Sequence, residues 1–97
     1  MDQKIVWSSL ASSNLEDICK FIGKESPYYA SLFAKRILEI IESIPYFPRA
    51  GRIVPEYRKD AIRERFYKSY RIVYRIKPSS IEIVAIVNFA RLLKNIK

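Results

Sequence analysis

The hydrophobic pattern of this chain changes its period once, and that change limits what 97 residues can fold into. Two apolar stripes with helical spacing run from Leu15 to Ile22 and from Ala30 to Ile44. Beyond residue 60 the apolar residues instead alternate with polar ones, as they do in half-buried strands. The sequence therefore predicts a pair of helices followed by several strands, which is an α+β fold in one domain over 1–97.

Local signals predict where the first elements begin. Lys4–Trp7 has the composition of a short first strand. Ser8 or Ser9 can cap a helix after it, with Ser13 as a rival cap one turn later. Ser26-Pro27 pairs a capping residue with a proline at the first helical position, which predicts the start of a second helix. The short link between the two helices predicts an antiparallel helical hairpin.

The second half of the chain predicts a sheet. Residues 45–60 contain prolines and a glycine and are read as a long loop. Residues 61–67, 69–77 and 81–89 are read as three strands joined by tight turns, and 90–97 as a last short helix. The predicted order is β-α-α-β-β-β, an antiparallel sheet packed on one face by the helical hairpin.

Basic side chains repeat at every second position of two neighbouring predicted strands. They are Arg63, Arg65, Arg71, Arg75 and Lys77. Since alternate residues of a strand share a face, and the helices should cover the other face, we expect all five on one open surface. Guanidinium groups bind phosphate oxygens, and Tyr67 among them can stack on an unpaired base. This pattern predicts a nucleic-acid surface, although a merely solvated sheet face shows the same alternation.

The composition excludes several kinds of catalytic and metal site. The chain has no histidine, a single cysteine at Cys19, and glycines only at 23 and 51. Catalytic devices that need histidine, disulfide frameworks, cysteine metal clusters and glycine-rich phosphate loops are therefore excluded, and we expect no metal and no cofactor. No apolar run approaches the roughly 20 residues of a membrane helix, so a cytoplasmic protein is predicted.

Charge is divided unevenly along the chain. Residues 1–48 hold 5 basic and 6 acidic side chains, whereas residues 49–97 hold 13 basic and 4 acidic ones. A cationic half of this kind predicts a polyanion or an acidic protein as partner.

Several segments, in order, are similar to one known family. They are Trp7-Ser8, Gly51–Glu56, Ile62-Arg63-Glu64, Tyr70–Ile76, Ile81-Glu82-Ile83 and the ending at Arg91. Over nearly its whole length the chain resembles the RelE/ParE toxins of type II toxin–antitoxin systems. The resemblance implies a toxin neutralised by a cognate antitoxin.

The resemblance also implies roles for individual residues, because the family has two branches. RelE-like members cleave mRNA on the ribosome, and ParE-like members poison DNA gyrase without being nucleases. In the nuclease branch Arg71 would bind the scissile phosphate, with Arg91 as a second arginine and Glu56 as the general base. Asn88 stands where many members carry a histidine, and asparagine cannot act as a general acid.

Three functions therefore stay open at this point: a metal-independent endoribonuclease, a gyrase poison and an inactive member. Glu56 and Glu64 lie among many arginines, so each is a candidate proton acceptor or a salt-bridge partner of those arginines. We expect the antitoxin to offer an acidic, amphipathic segment. It would cover the sheet around Arg63, Arg71 and Arg75, or dock in a groove beside the helical hairpin.

Overall fold

The computed structural model describes residues 3–91, which fold into a helical hairpin on a five-stranded sheet. The elements are β1 (Lys4–Trp7), α1 (Ser9–Gly23), α2 (Pro27–Ser43), β2 (Arg52–Ile53), β3 (Ile62–Tyr67), β4 (Tyr70–Ile76) and β5 (Ser80–Asn88), with 3₁₀ turns at Ile44–Tyr46 and Pro48–Ala50. The α+β class is confirmed. The helix predicted over 90–97 lies outside the described residues, except for 90 and 91. No helix within 3–91 is long and apolar enough to cross a membrane.

Serine side chains begin both helices. The Ser8 hydroxyl accepts a hydrogen bond from the backbone N–H of Ala11 at 3.0 Å, so it is the first of the three candidate serines that caps α1. The same hydroxyl donates to the Val84 carbonyl at 2.8 Å and ties the helix to β5. Ser26 caps α2 ahead of Pro27, as predicted. Both helices therefore start directly after a serine that caps them.

The sheet has the strand order β1-β5-β4-β3-β2 and is mixed. The pairs among β2, β3, β4 and β5 are antiparallel, whereas β1 pairs with β5 in parallel. β2 is a two-residue strand inside the segment that was predicted as loop. A bulge lies in the β4–β5 ladder between Val73 and Tyr74.

The sheet is covered on both faces. The helical hairpin packs on one face, over a core that includes Ile37, Ile41 and the fully buried Tyr74. On the other face Val54 and Tyr57, from the loop after β2, pack against valines of β4 and β5, including Val73. The expectation that this second face would be open is wrong in this region, because its valines require an apolar cover.

The predicted common surface of five basic residues is also wrong. A two-residue turn joins β3 to β4, so odd-numbered residues of β3 lie opposite even-numbered residues of β4. Arg63 thus pairs with Tyr74, and Arg65 with Ile72. Both arginines lie on the helix-covered face, whereas Arg71 lies on the other one.

Gly51 packs closely against the Tyr74 side chain and the backbone of β3, and a substitution at this position tests that packing. A Cβ at position 51 would collide with the Tyr74 hydroxyl and lie 2.8 Å from the Glu64 carbonyl oxygen. We expect Gly51→Ala to lower the free energy of unfolding by about 1–3 kcal/mol, the usual cost of overpacking. Urea denaturation followed by circular dichroism measures this change.

Gly23→Ala is the matched control for that experiment. The added Cβ would lie 3.7 Å from the Cβ of Ala30, an ordinary contact, at the last residue of α1. We expect this variant to be as stable as the parent or up to about 1 kcal/mol more stable. Equal losses in the two variants would contradict the packing described around Gly51.

Candidate functional site

Arg71 is the centre of an ion-pair network on the face opposite the helical hairpin. Its side chain is only 5% exposed and donates four hydrogen bonds. Two go to the carboxylate oxygens of Glu56, each at 2.8 Å, one to Glu64 at 2.7 Å, and one to the Arg91 carbonyl at 3.0 Å. The hydrogen bonds with Glu56, and then the hydrogen bond with Glu64, raise the pKa of Arg71 above its ordinary value. The guanidinium is charged, and most of its N–H donors form hydrogen bonds within the protein.

Glu64 is the buried anion of the network, with no exposed side-chain surface. One of its oxygens accepts from Arg71, and the other accepts two bonds from Arg52, at 2.8 and 2.5 Å. Arg52 lies directly opposite Glu64 in the β2–β3 ladder, whereas Arg71 reaches it from β4. Three neighbouring strands therefore meet at a single carboxylate, which needs these donors because burial has removed it from water.

Glu56 fastens the loop after β2 to the sheet. Its side chain is 20% exposed and forms the bidentate pair with Arg71, one of the strongest ion-pair geometries in proteins. Val54, two residues earlier, is fully buried in the second core. The loop is thus held by an apolar contact and a charged one, only two residues apart.

A cleft of about 360 Å³ opens beside this network. It is lined by Arg52, Pro55, Glu56, Arg71, Phe89, Ala90 and Arg91. The three residues that the resemblance maps to nuclease chemistry, Arg71, Glu56 and Arg91, therefore meet at one place. The side chain of Arg91 is exposed and forms no ion pair within residues 3–91.

An exposed aromatic pair lies beside the cleft, and sequence reasoning missed it. The rings of Phe66 and Phe89 meet edge to face, with centroids 5.4 Å apart, and they are 40% and 56% exposed. The guanidinium of Arg52 lies 5.2 Å from the centre of the Phe66 ring. The register places Phe66 directly opposite Arg71. Correct pairing of β3 with β4 in the sequence would therefore have placed Phe66 on the same face as Arg71.

Arg63 braces a loop. Its guanidinium donates to the Asp60 carboxylate at 2.7 Å and to the backbone carbonyls of Arg49, Gly51 and Asp60. Hydrogen bonds from Arg49 and Arg63 hold the pKa of the Asp60 carboxyl below its ordinary value. The guanidinium of Arg63 is therefore bound to backbone carbonyls and to Asp60 within the protein.

The remaining predicted site residues are dispersed. Arg75 and Lys77 both pair with Glu82, at 3.1 and 3.4 Å. Arg65 is half-buried on the helix-covered face, and Tyr67 packs there against an aromatic ring of α2 with centroids 5.6 Å apart. These four residues do not form one surface with Arg71.

Asn88 stabilises a turn at the end of β5. Its side-chain oxygen accepts a hydrogen bond from the backbone N–H of Ala90 at 3.0 Å. This turn carries the chain from β5 into the wall of the cleft at Ala90 and Arg91. Among the residues the structure describes, no group of three or more carboxylate, cysteine or histidine side chains could hold a metal ion.

Comparison with known proteins first defines the class of fold. A solved structure titled "Chromosomal ParDE TA system from P. aeruginosa" is similar, with a TM-score of 0.73 over 89% of this chain and 95% of that one. The two sequences are 18% identical, so this likeness shows the fold alone. Comparison with curated proteins gives no match.

The family follows from the sequence match. Residues 5–92 match the model of the family described as the ParE toxin of the type II toxin–antitoxin system parDE. The chain belongs to this family, and membership implies an antitoxin partner.

The buried network predicts that removing Glu64 lowers the free energy of unfolding much more than removing Glu82, another glutamate that pairs with two cations. Glu64→Ala leaves Arg71 and Arg52 without their shared anion, and removing one partner of a buried pair costs about 3–5 kcal/mol of unfolding free energy. Glu82→Ala is the matched control, since Glu82 also pairs with two cations but is 19% exposed. We expect this control to lose about 1 kcal/mol or less.

Urea denaturation of both variants at neutral pH measures the difference. The central place of Glu64 would be contradicted if its variant lost no more stability than the Glu82 variant.

Proposed function

We propose that this chain is the toxin of a type II toxin–antitoxin pair and acts in the cytoplasm by binding DNA gyrase, without cleaving RNA. Family membership and the resemblance to ParE-like gyrase poisons support the class of activity. The observation that carries the choice between the two branches is the pairing of Arg71 with Glu56.

A nuclease of the proposed kind needs both of these groups for its substrate. Arg71 would stabilise charge on the phosphate, and Glu56 would take the proton of the attacking 2′-hydroxyl. Here the arginine and the carboxylate neutralise each other through two bonds of 2.8 Å. Both oxygens of Glu56 therefore accept hydrogen bonds from Arg71, whose two other hydrogen bonds go to Glu64 and a backbone carbonyl.

A histidine that could act as general acid is also absent from the sequence. Protonation of the leaving oxygen is efficient when the donor titrates near the working pH, as histidine does. The chain has no histidine, and Asn88 holds a backbone turn. Both points favour a toxin that works by binding.

A metal-independent endoribonuclease is the second candidate, favoured by one observation. Arg71, Glu56 and Arg91 all line the same cleft. In that candidate Glu56 would leave Arg71 when RNA enters, and both arginines would stabilise the phosphorane.

Two assays of the purified chain distinguish these candidates. We expect it to inhibit DNA supercoiling by gyrase and to leave mRNA on programmed ribosomes intact. Glu56→Gln removes the candidate base while keeping its size, so we expect gyrase inhibition to change by less than about threefold. An endoribonuclease that used Glu56 as its base would lose about 100-fold or more in cleavage.

Glu39→Gln, on the exposed side of α2, is the control for loss of one negative charge. Ribosomal mRNA cleavage that disappears in Glu56→Gln and persists in Glu39→Gln would overturn the gyrase proposal. A chain inert in both assays would identify an inactive family member.

A further inference from the structure

We infer that the cleft beside Phe66 and Phe89 is the docking site of an acidic segment of the antitoxin. In this arrangement the segment places an apolar side chain on the aromatic pair and a carboxylate beside Arg91. The inference rests on the proposed function only in that the chain is a toxin with an antitoxin partner. It does not depend on gyrase as the target.

The aromatic pair supplies the apolar anchor of this site. Phe66 and Phe89 are 40% and 56% exposed and contact each other edge to face. Clustered exposed aromatic surface on a small domain commonly marks an interaction site, and aromatic anchors in a pocket dominate binding energy. Phe89 also lines the cleft of about 360 Å³, so a partner side chain on the aromatic pair lies next to the arginines of that cleft.

Charge determines the chemistry of the occupant. The cleft presents Arg52, Arg71 and Arg91 against the single lining carboxylate of Glu56, with Glu64 beneath. The side chain of Arg91 is exposed at the edge of the cleft and forms no ion pair with any residue from 3 to 91. A second copy of the chain would bring +8 against +8, which opposes self-association at this cationic cleft. An acidic segment fits it.

The other surfaces expected to bind the antitoxin fit an acidic segment less well. Around Arg63 and Arg75 the cations already pair with Asp60 and Glu82. The groove beside the helical hairpin, of about 410 Å³, is lined by apolar side chains and by the carboxylate of Glu16. This lining contains no cation, and Glu16 itself pairs with Lys20 at 3.4 Å, whereas the cleft at Phe89 offers arginines to an acidic partner.

The test uses a fluorescein-labelled synthetic peptide of Glu, Leu and Phe, patterned as an acidic amphipathic helix, with binding followed by fluorescence anisotropy. We expect Phe89→Ala to weaken binding about 30-fold, as for removal of a central aromatic anchor. We expect Arg91→Glu to weaken it about fivefold or more, and raised salt to reduce that difference because the charge is exposed.

Two matched controls test the location. Phe21→Ala removes another exposed phenylalanine, 70% exposed on α1, and Lys35→Glu reverses another exposed charge, on α2. We expect both to bind within about twofold of the parent. No binding by the parent chain, or equal losses in Phe89→Ala and Phe21→Ala, would overturn the docking site.

An oligouridine RNA is the competing arm of the experiment. If the RNA binds with a dissociation constant similar to that of the peptide, and the same variants weaken its binding, the cleft is a nucleic-acid site and the inference is wrong. The gyrase assay reports separately, since a parent chain that binds no peptide but still inhibits gyrase rejects only the docking site. Intact binding without gyrase inhibition rejects only the proposed target.

Discussion

The pairing of Glu64 with Arg71 is the interaction on which this half of the molecule depends. An ionised carboxylate without exposed surface is stable only when several donors reach it, and here they come from β4 and from Arg52 on β2. Arg71 then uses its remaining donors to hold Glu56 and the carbonyl of Arg91. One buried charge therefore orders a short strand, a loop and the segment after β5.

This arrangement connects stability to function. The arginine that family resemblance assigns to phosphate binding is engaged inside the protein, whereas Phe66, Phe89, Arg52 and Arg91 beside it are exposed. A surface made of aromatic rings and exposed arginines suits recognition of an acidic protein segment. The same cleft thus contains the buried ion pair of Arg71 with Glu56 and, next to it, the exposed side chains of Phe89 and Arg91.

Sequence reasoning succeeded where the controlling contacts are local. Ser8, Ser26 and Pro27 act on neighbours within a turn, and both helices begin where these residues predict. The predicted faces of β3 are wrong, although β3 and β4 are joined by a tight turn, as the sequence predicts. Counting across that two-residue turn places Arg63 opposite Tyr74 and Glu64 on the face of Arg71, the reverse of the expected arrangement.

By itself the sequence determined the α+β class, the order of the main elements, the cationic second half and the likeness to RelE/ParE toxins. These depend on periodicity, composition and short motifs, which act along the chain. Only the tertiary structure decided which arginine Glu56 neutralises, that the loop after β2 covers the second face, and that Phe66 meets Phe89. Those contacts join residues far apart in the chain, and strand register and loop path bring them together in ways that local patterns do not encode.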